Sequence, residues 1–229
     1  MLNKFHAIII IILKAEQIKY YSSIDQIEED IIKSNISLQI GGKWSPKLPF
    51  KPATRLAIIV PYRDRKKNLQ VFLSYIHKFL TKQNVVYRVY IVEPVAGLTF
   101  NKGISMNAGF IEALKDKEDW NCFIFHDVDI IPENDKILYS CDPNVPKLIA
   151  VAISAYNYRV DGYFKNYFGG VTAFTKEQFK SINGFSNLFF GWGLEGKYIL
   201  IMTNDDLFFF HNLMKCIILK KKMTMLETE

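Results

Sequence analysis

Two carboxylates, Asp127 and Asp129, stand two positions apart directly after an apolar run that ends at His126. In a strand, alternate side chains point to the same face, so the spacing predicts that both carboxylates project together at the end of a strand. Like charges this close are costly unless a cation lies beside them, and Mn2+ and Mg2+ prefer carboxylate ligands. The segment therefore indicates a metal-held diphosphate. A solvated turn after a buried strand is the alternative interpretation.

Two arginines, Arg63 and Arg65, follow another apolar run at residues 56–60. The carboxyl ends of parallel strands line the ligand crevice of an α/β sheet, so these arginines and the two aspartates are expected to face one crevice. Arginine suits a phosphate and the carboxylates suit a cation, which together fit a nucleotide diphosphate with its metal. The arginines could instead be solvated residues at the entry to a helix.

A third constellation places Trp192 between Gly191 and Gly193, with Glu195 two residues further on. Glycines around a large aromatic surface permit a lid that closes over a sugar ring, and a nearby glutamate could accept a proton from a hydroxyl. The alternative is a glycine-rich turn with a tryptophan packed for burial.

From residue 56 onwards, strand-like and helix-like patterns alternate. The predicted strands are residues 56–60, 87–92, 120–125, 148–153 and 170–174, and the predicted helices are residues 68–82, 105–115 and 176–182. Continuous apolar strands between amphipathic helices predict an α/β fold with a parallel sheet covered on both faces. Before this region, residues 23–33 form a predicted short helix and residues 41–55 a proline-containing linker or arm.

Length and composition exclude several classes of protein. The 229 residues suffice for one sizeable α/β domain with extensions, and a hydrophobic content of 49% excludes a disordered chain. The net charge of +6 comes from scattered basic residues without interleaved stacking aromatics, so the chain is not interpreted as a nucleic-acid binder.

Cys122 and Cys141 flank the aspartate pair, either as a disulfide in an oxidising compartment or as two reduced thiols.

The N-terminus contains a short apolar run at residues 7–13. A membrane-spanning helix needs about 20 apolar residues, so this run is the core of a signal sequence, the remnant of a signal anchor or a buried strand. Membrane association through this segment is one expectation. The sequon at residues 35–37 is compatible with a secreted glycoprotein.

Six motifs, taken in their order along the chain, resemble the β-1,4-galactosyltransferase family of inverting, nucleotide-sugar-dependent glycosyltransferases. They are IIVPYRDR (58–65), FNKGISMNAGF (100–110), CFIFHDVDIIPENDKILYSC (122–141), YFGGVTAF (167–174), INGF (182–185) and FGWGLE (190–195). The resemblance implies a Rossmann-like mixed sheet of the GT-A type, with helices on both faces, that binds UDP-galactose with Mn2+. It also implies a Golgi membrane protein whose lumenal catalytic domain acts on a glycan acceptor. The acceptor stays open between N-acetylglucosamine, glucosylceramide and xylose on a proteoglycan linker; the N-acetylglucosamine type is the expectation, and the cysteine pair disfavours the xylose-specific branch.

The resemblance implies roles for individual residues. Glu195 is the implied catalytic base, and Trp192 is the implied lid tryptophan of the catalytic site. Asp129 is the implied metal ligand, and Asp127 is implied to support Asp129 without binding the metal itself. The implied substrate-binding residues are Pro61, Tyr62, Arg63, Arg65, Tyr167, Gly170, Asp205 and Asp206. A large aromatic at position 167 resembles the galactose-using members. The pair Cys122 and Cys141 matches the disulfide of the family.

The chain departs from the family pattern after Glu195. Removing residues 196–203 restores GWGLENDDLF, and the methionine and histidine that complete the metal site of the family have no counterpart. We therefore divide the chain into an N-terminal part (1–55), a catalytic core (56–195) and an atypical insert with a truncated C-terminal segment (196–229), and expect low activity. A non-catalytic nucleotide-sugar-binding relative and a UDP-N-acetylgalactosamine-dependent transferase are the alternatives.

Overall fold

The computed structural model describes residues 26, 29, 33–34, 36–39, 41–47, 49–50, 52–161, 167–191 and 195–196. Within these residues the strands are β1 (Lys43–Trp44), β2 (Arg55–Pro61), β3 (Val86–Val92), β4 (Cys122–His126), β5 (Lys147–Leu148) and β6 (Val171–Phe174). The helices are α1 (Lys66–Thr81), α2 (Lys102–Lys115) and α3 (Lys176–Ser181), with a 3-10 turn at Ser154–Tyr156.

The six described strands form one sheet in the order β1-β3-β2-β4-β6-β5. The three central strands are parallel, because β2 pairs in parallel with both β3 and β4. The outer strands β1, β6 and β5 each pair antiparallel with their neighbours. The apolar runs thus predicted the central strands correctly, whereas the sheet as a whole is mixed, as the family resemblance implied.

Strand β2 is buried on both of its faces, which explains its continuous apolar sequence. Leu56, Ile58 and Val60 pack into the core on the side of α1. The alternate residues Ala57 and Ile59 pack into a second core on the side of α2 and α3. Helices therefore cover both faces of the sheet, as predicted.

The order of the strands places the ligand crevice. From β2 the chain passes through α1 to β3 on one side, and then returns through α2 to β4 on the other side of β2. Crossover connections between parallel strands are right-handed. Two connections that run in opposite directions across the sheet therefore place their helices, α1 and α2, on opposite faces. The strand order reverses between β2 and β4, and a crevice opens at the carboxyl ends of these two strands.

Three predictions from the pattern need correction. The strand predicted at residues 148–153 is only two residues long, because the chain beyond Ala150 leaves the sheet and enters the 3-10 turn at Ser154–Tyr156. Helix α2 begins at Lys102, three residues before the predicted start. The predicted linker at 41–55 contributes the edge strand β1.

Of the predicted helix at residues 23–33, the described residues Gln26, Glu29 and Lys33 are helical. The apolar run at residues 7–13 lies outside the described residues, as does Asn35 of the sequon. Among the helices that the structure describes, none has both the length and the apolar character needed to cross a bilayer.

Candidate active site

The two aspartates follow β4 in a turn and do not continue the strand, which corrects the strand geometry assumed from their spacing. Strand β4 ends at His126, and the chain then turns, with the backbone N–H of Ile130 donating to the carbonyl oxygen of Asp127 at 3.3 Å. The two carboxylates have different cationic partners in this turn. Asp127 is largely buried and paired with Lys102, whereas the side chain of Asp129 is 40% exposed and paired with Arg65.

A buried lysine joins two carboxylates at the centre of this site. The ammonium of Lys102 lies 2.6 Å from Oδ1 of Asp127 and 3.0 Å from Oε1 of Glu195. Lys102 is the first residue of α2, where the helix dipole disfavours a cation, and its side chain is buried. Burial alone would lower the pKa of Lys102, but the two carboxylates outweigh it and raise the pKa. The lysine therefore stays charged and holds both acids in place.

Glu195 is itself buried, at 7% exposure, and is followed by a tightly packed glycine. A Cβ at Gly196 would lie 2.4 Å from the carbonyl oxygen of Phe168, which is closer than packed atoms come. Removing residues 196–203 would place Asn204 after Glu195, so the shortened chain would have to shift at this point. Deleting residues 196–203 to restore the family spacing would therefore disturb the packing of this segment against Phe168.

Two amide side chains of α2 fasten the loop that leads to Glu195. Asn101 caps α2 by accepting from the N–H of Ile104 at 2.9 Å, and its Nδ2 donates to the carbonyl of Asn187 at 2.8 Å. Asn107 accepts from the N–H of Phe185 at 2.9 Å and donates to the carbonyl of the same residue at 2.8 Å. The start of α2 thereby positions residues 185–191 as well as the buried lysine.

Gly170 and Tyr167 lie against the buried aspartate. The carbonyl oxygen of Gly170 accepts from the backbone N–H of Asp127 at 2.8 Å, and its φ of +72° favours glycine. A Cβ at Gly170 would also lie 3.2 Å from the Tyr167 hydroxyl. Burial and the nearby Asp127 carboxylate raise the pKa of Tyr167, which keeps its phenol protonated.

The residues after β2 form the other wall of the crevice. Pro61 ends the strand, and the backbone N–H of Tyr62 donates to the carbonyl of Val92 at 2.9 Å. Arg63 donates to the carbonyl oxygens of Leu98 and Val95, and its guanidinium lies 5.5 Å from the ring centroid of Phe100. Beside these residues is a cleft of about 570 Å³, lined by Arg63, Asp64 and residues 93–97.

His126 fixes the strand end from which the aspartates project. Its ring contacts the carbonyl oxygen of Asp127 at 2.8 Å through Nδ1 and the hydroxyl of Tyr139 at 2.7 Å through Nε2. A carbonyl can only accept, so Nδ1 carries the proton and Nε2 accepts from the tyrosine. Burial lowers the pKa of His126 to about 4, so the ring is neutral at physiological pH.

The burial of two neutral histidines, His77 and His126, predicts a loss of folding stability in mild acid. His77, which contacts the Tyr87 hydroxyl at 2.8 Å, also has its pKa lowered to about 4 by burial. As pH falls through the unfolded-state value of 6.5, the unfolded chain binds protons that the folded chain refuses, and folding weakens until pH reaches about 4. Between about pH 7.5 and about pH 5.5, these two histidines should cost roughly 3 kcal/mol of unfolding free energy.

Urea unfolding measured across this pH range tests the expectation. A His77→Gln variant should show about half of the histidine-dependent loss, because only His126 then resists protonation. A wild-type unfolding free energy that does not change between these pH values would contradict the assignment of two buried neutral histidines.

Cys122 and Cys141 form a disulfide, which settles the alternatives that their spacing left open. Their Cα atoms are 5.5 Å apart, and the bond joins residues separated by 19 positions. The closed loop contains both aspartates, so the bond ties the far end of this loop to the start of β4. Disulfides persist in oxidising compartments.

Replacing both cysteines with serine should lower the unfolding free energy by roughly 3 kcal/mol in the chain-entropy model for a loop of this length. Urea unfolding of the double variant beside the oxidised wild type measures this difference. Mass mapping of secreted protein provides the control, since finding two free thiols there would remove both the bond and the expected loss.

The structure thus brings together most of the described residues that the sequence assigned to the site. Trp192, Asp205 and Asp206 lie outside the described residues. Within the described residues, no group of three or more potential metal ligands occurs. Sequence reasoning assigned no role to Asn101, Lys102 or Asn107, although all three lie in the quoted motif FNKGISMNAGF and Asn101 is a favoured helix-capping residue.

Comparison with protein families gives two matches that together span most of the chain. The N-terminal region of glycosyl transferase group 7 matches residues 10–142, and the N-terminal domain of galactosyltransferase matches residues 149–200. Human β-1,4-galactosyltransferase 3 is 41% identical over 166 residues, which are 72% of this chain and 41% of the relative. Human β-1,4-galactosyltransferase 4 is 45% identical over 154 residues, 67% of this chain and 43% of the relative. The chain thus spans about two fifths of the length of these relatives.

A similar solved structure is a mutant of Drosophila β-1,4-galactosyltransferase 7 in complex with manganese, UDP-Gal and xylobiose. It superposes with a TM-score of 0.56 and is 32% identical, covering 65% of this chain and 61% of the other. This likeness confirms the GT-A type of fold.

Proposed function

Because the chain belongs to the β-1,4-galactosyltransferase family of group 7 glycosyltransferases, we propose that its core transfers galactose from UDP-galactose to a sugar hydroxyl in β-1,4 linkage. The acceptor is proposed to be of the N-acetylglucosamine type. The observation that carries the proposal is the meeting of Asp127, Glu195 and Lys102 at the crevice that Arg65 and Asp129 enclose. A nucleotide sugar needs cations for its diphosphate and an acid–base group for its acceptor, and this crevice offers both.

The residues present fit a divalent cation that is held jointly by a carboxylate and a diphosphate. Asp129 offers a hard, partly exposed carboxylate oxygen at the end of β4, and cations of this kind are often held by one or two carboxylates plus substrate phosphates. Asp129 would hold Mn2+, which when bound supplies stabilisation of the negative charge on the departing diphosphate. Asp127 would act beside it, because Lys102 and the backbone of Gly170 already engage this residue.

The side chains of the chain itself position the two substrates. Glu195 accepts the proton of the acceptor hydroxyl as that oxygen attacks the anomeric carbon of galactose and UDP departs. Lys102 keeps the Glu195 carboxylate fixed, so little reorganisation is needed when the proton moves. Arg63 and Arg65 line the wall proposed for the nucleotide, Tyr167 lies beside Asp127, and Trp192 is proposed to close over the sugars.

The disulfide supports a proposed location in the Golgi lumen. A bond between Cys122 and Cys141 needs an oxidising compartment to form and persist. Attachment to the Golgi membrane through the apolar run at residues 7–13 belongs to the same proposal.

Calorimetric titration of UDP, with and without Mn2+, tests the proposed function. UDP should bind only with Mn2+, and Asp129→Ala should abolish this binding, whereas Asp127→Asn should weaken it less. Galactose transfer to N-acetylglucosamine should follow, with UDP-N-acetylgalactosamine as the competing donor.

Transfer by the 229-residue chain should be slow, because residues 196–203 separate Asp205 and Asp206 from Glu195, and a misplacement of about 1 Å can cost about 100-fold in rate. Metal-independent or absent UDP binding would favour a non-catalytic relative.

A further inference from the structure

The last residue of β4 is hydrogen-bonded to the far end of the loop that the disulfide closes. The imidazole of His126 accepts from the hydroxyl of Tyr139 at 2.7 Å through Nε2, and donates to the carbonyl oxygen of Asp127 at 2.8 Å through Nδ1. The histidine and the tyrosine are almost completely buried, with exposures of 0% and 2%. Two consecutive hydrogen bonds therefore run from Tyr139 to the backbone of Asp127.

The carbonyl oxygen that receives the imidazole also closes the turn after β4. It accepts from the backbone N–H of Ile130 at 3.3 Å, and the turn formed in this way carries Asp129. The carboxylate of the same Asp127 lies 2.6 Å from the buried ammonium of Lys102. The imidazole of His126 thus supports, from below, the backbone on which both carboxylates of the site depend.

We propose that Tyr139 and His126 are positioning residues of the nucleotide-sugar site, in which the tyrosine anchors the imidazole and the imidazole holds the backbone of Asp127. This inference rests on the proposed function and adds two residues to it. Both act through Asp127, by keeping the 127–130 turn in the arrangement that the donor requires.

The two partners of the imidazole fix its tautomer and its orientation. A neutral imidazole carries one N–H, and the carbonyl oxygen of Asp127 can only accept. The proton therefore lies on Nδ1, and Nε2 is left as an acceptor for the hydroxyl of Tyr139. The ring of Phe72 in α1, with its centroid 4.9 Å from that of the imidazole, packs against the same side chain. The imidazole is therefore fixed on several sides.

Tyr139 is in turn anchored to the end of α1. Its backbone N–H donates to Oε1 of Gln83 at 3.0 Å, and Nε2 of Gln83 donates to the carbonyl oxygen of Ile137 at 2.7 Å. The ring of Phe79 packs edge-on against the tyrosine ring at 5.0 Å between centroids. Residues that hold a binding group in place act best when they are themselves held in this way.

Two amide substitutions of His126 separate positioning from packing. Asparagine places its amide nitrogen close to the position of Nδ1 and can donate to Asp127, but it is too short to reach Tyr139. Glutamine can accept from the hydroxyl of Tyr139, but its amide extends past the Asp127 carbonyl. Asparagine also leaves the larger cavity and an unpartnered tyrosine hydroxyl, so it should destabilise the fold more than glutamine does.

Calorimetric titration of UDP in the presence of Mn2+ measures the site in each folded variant, and urea unfolding measures the stability. His126→Gln should bind UDP about 10-fold more weakly than the wild type, whereas His126→Asn should remain within about 2-fold. The urea midpoints should fall in the opposite order, with His126→Asn the less stable variant. A purely structural role would give the same order in both measurements and would overturn the inference.

Tyr139→Phe is a second test that keeps the imidazole and leaves almost no cavity. Because the imidazole loses one of its two hydrogen-bond partners, the affinity for UDP should fall by about 5-fold. Tyr87→Phe is the matched control, since Tyr87 is a buried tyrosine whose hydroxyl lies 2.8 Å from Nδ1 of His77. That variant should lose a similar amount of stability and keep the wild-type affinity for UDP. Equal UDP affinities of the two variants would overturn the inference.

The tautomer of His126 is measured without any ligand. The nitrogen-15 chemical shifts of its ring, assigned by their loss in His126→Gln, should show the proton on Nδ1. A proton on Nε2 would overturn the inference, because the ring could not donate to Asp127. These results also distinguish the inference from the proposed function. If the wild type binds UDP with Mn2+ but the variants follow the structural order, only the inference fails. If the wild type binds no UDP with Mn2+, the proposed function fails and the inference fails with it.

Discussion

Replacing Lys102 with methionine is expected to lower the unfolding free energy by about 3–5 kcal/mol, because the change leaves buried carboxylates without their cation. Both partners of the ammonium are largely buried, with side-chain exposures of 18% for Asp127 and 10% for Glu195. Methionine fills a similar volume, so the loss would report the missing charge rather than a cavity. Urea unfolding at pH 7.5 measures it.

Lys115→Met is the matched control, because it removes a lysine from the other end of α2 whose pair with Glu112 is exposed. That variant should change the unfolding free energy by less than about 0.5 kcal/mol. Adding Glu195→Gln to the Lys102→Met variant should recover part of the loss, because one of the two uncompensated charges is then absent. A Lys102→Met variant as stable as the control would show that the buried cluster does not depend on this cation.

Replacing Glu195 with glutamine is expected to reduce galactose transfer by about 100- to 10,000-fold, which is the usual contribution of a general base. Glutamine keeps the shape of the side chain and can still accept a hydrogen bond from Lys102. It cannot take the proton of the acceptor hydroxyl. UDP binding with Mn2+ should therefore remain within about 3-fold of the wild type, equivalent to about 0.7 kcal/mol.

Single-turnover assays with labelled UDP-galactose and an excess of protein can detect transfer even when turnover is slow. Glu112→Gln, on the exposed face of α2, serves as the control and should leave the rate unchanged. Retention of the wild-type rate by Glu195→Gln would reject Glu195 as the base and direct attention to the carboxylates after residue 203.

The central sheet could be predicted from the sequence because its signals are local. Strand β2 is a run of apolar residues that ends in proline, β3 is apolar apart from Arg88, and β4 is apolar up to His126. Helix α1 carries an amphipathic stripe. The clustering of the residues after β2 with those after β4 followed from the topology of parallel strands. The start of α2 was missed because Lys102 and Gly103 disfavour a helix beginning, although Asn101 caps it.

The details of the site depend on contacts between residues that are far apart in the sequence. No local pattern pairs Lys102 with Glu195, and nothing in the spacing of Asp127 and Asp129 reveals that the chain turns between them. Their alternation matched a strand, but β4 ends one residue before Asp127, and the two carboxylates are held by Lys102 and Arg65.

The bonds that hold the two walls of the crevice respond differently to ionic strength. Asn101 and Asn107 bind the backbone of Asn187 and Phe185 through uncharged amide groups, which dissolved ions do not screen. The Arg65–Asp129 pair is charged and partly exposed, and the screening length falls from about 30 Å at 0.01 M salt to about 8 Å at 0.15 M. Added salt should therefore loosen the mouth of the crevice while the loop beside Glu195 stays fastened.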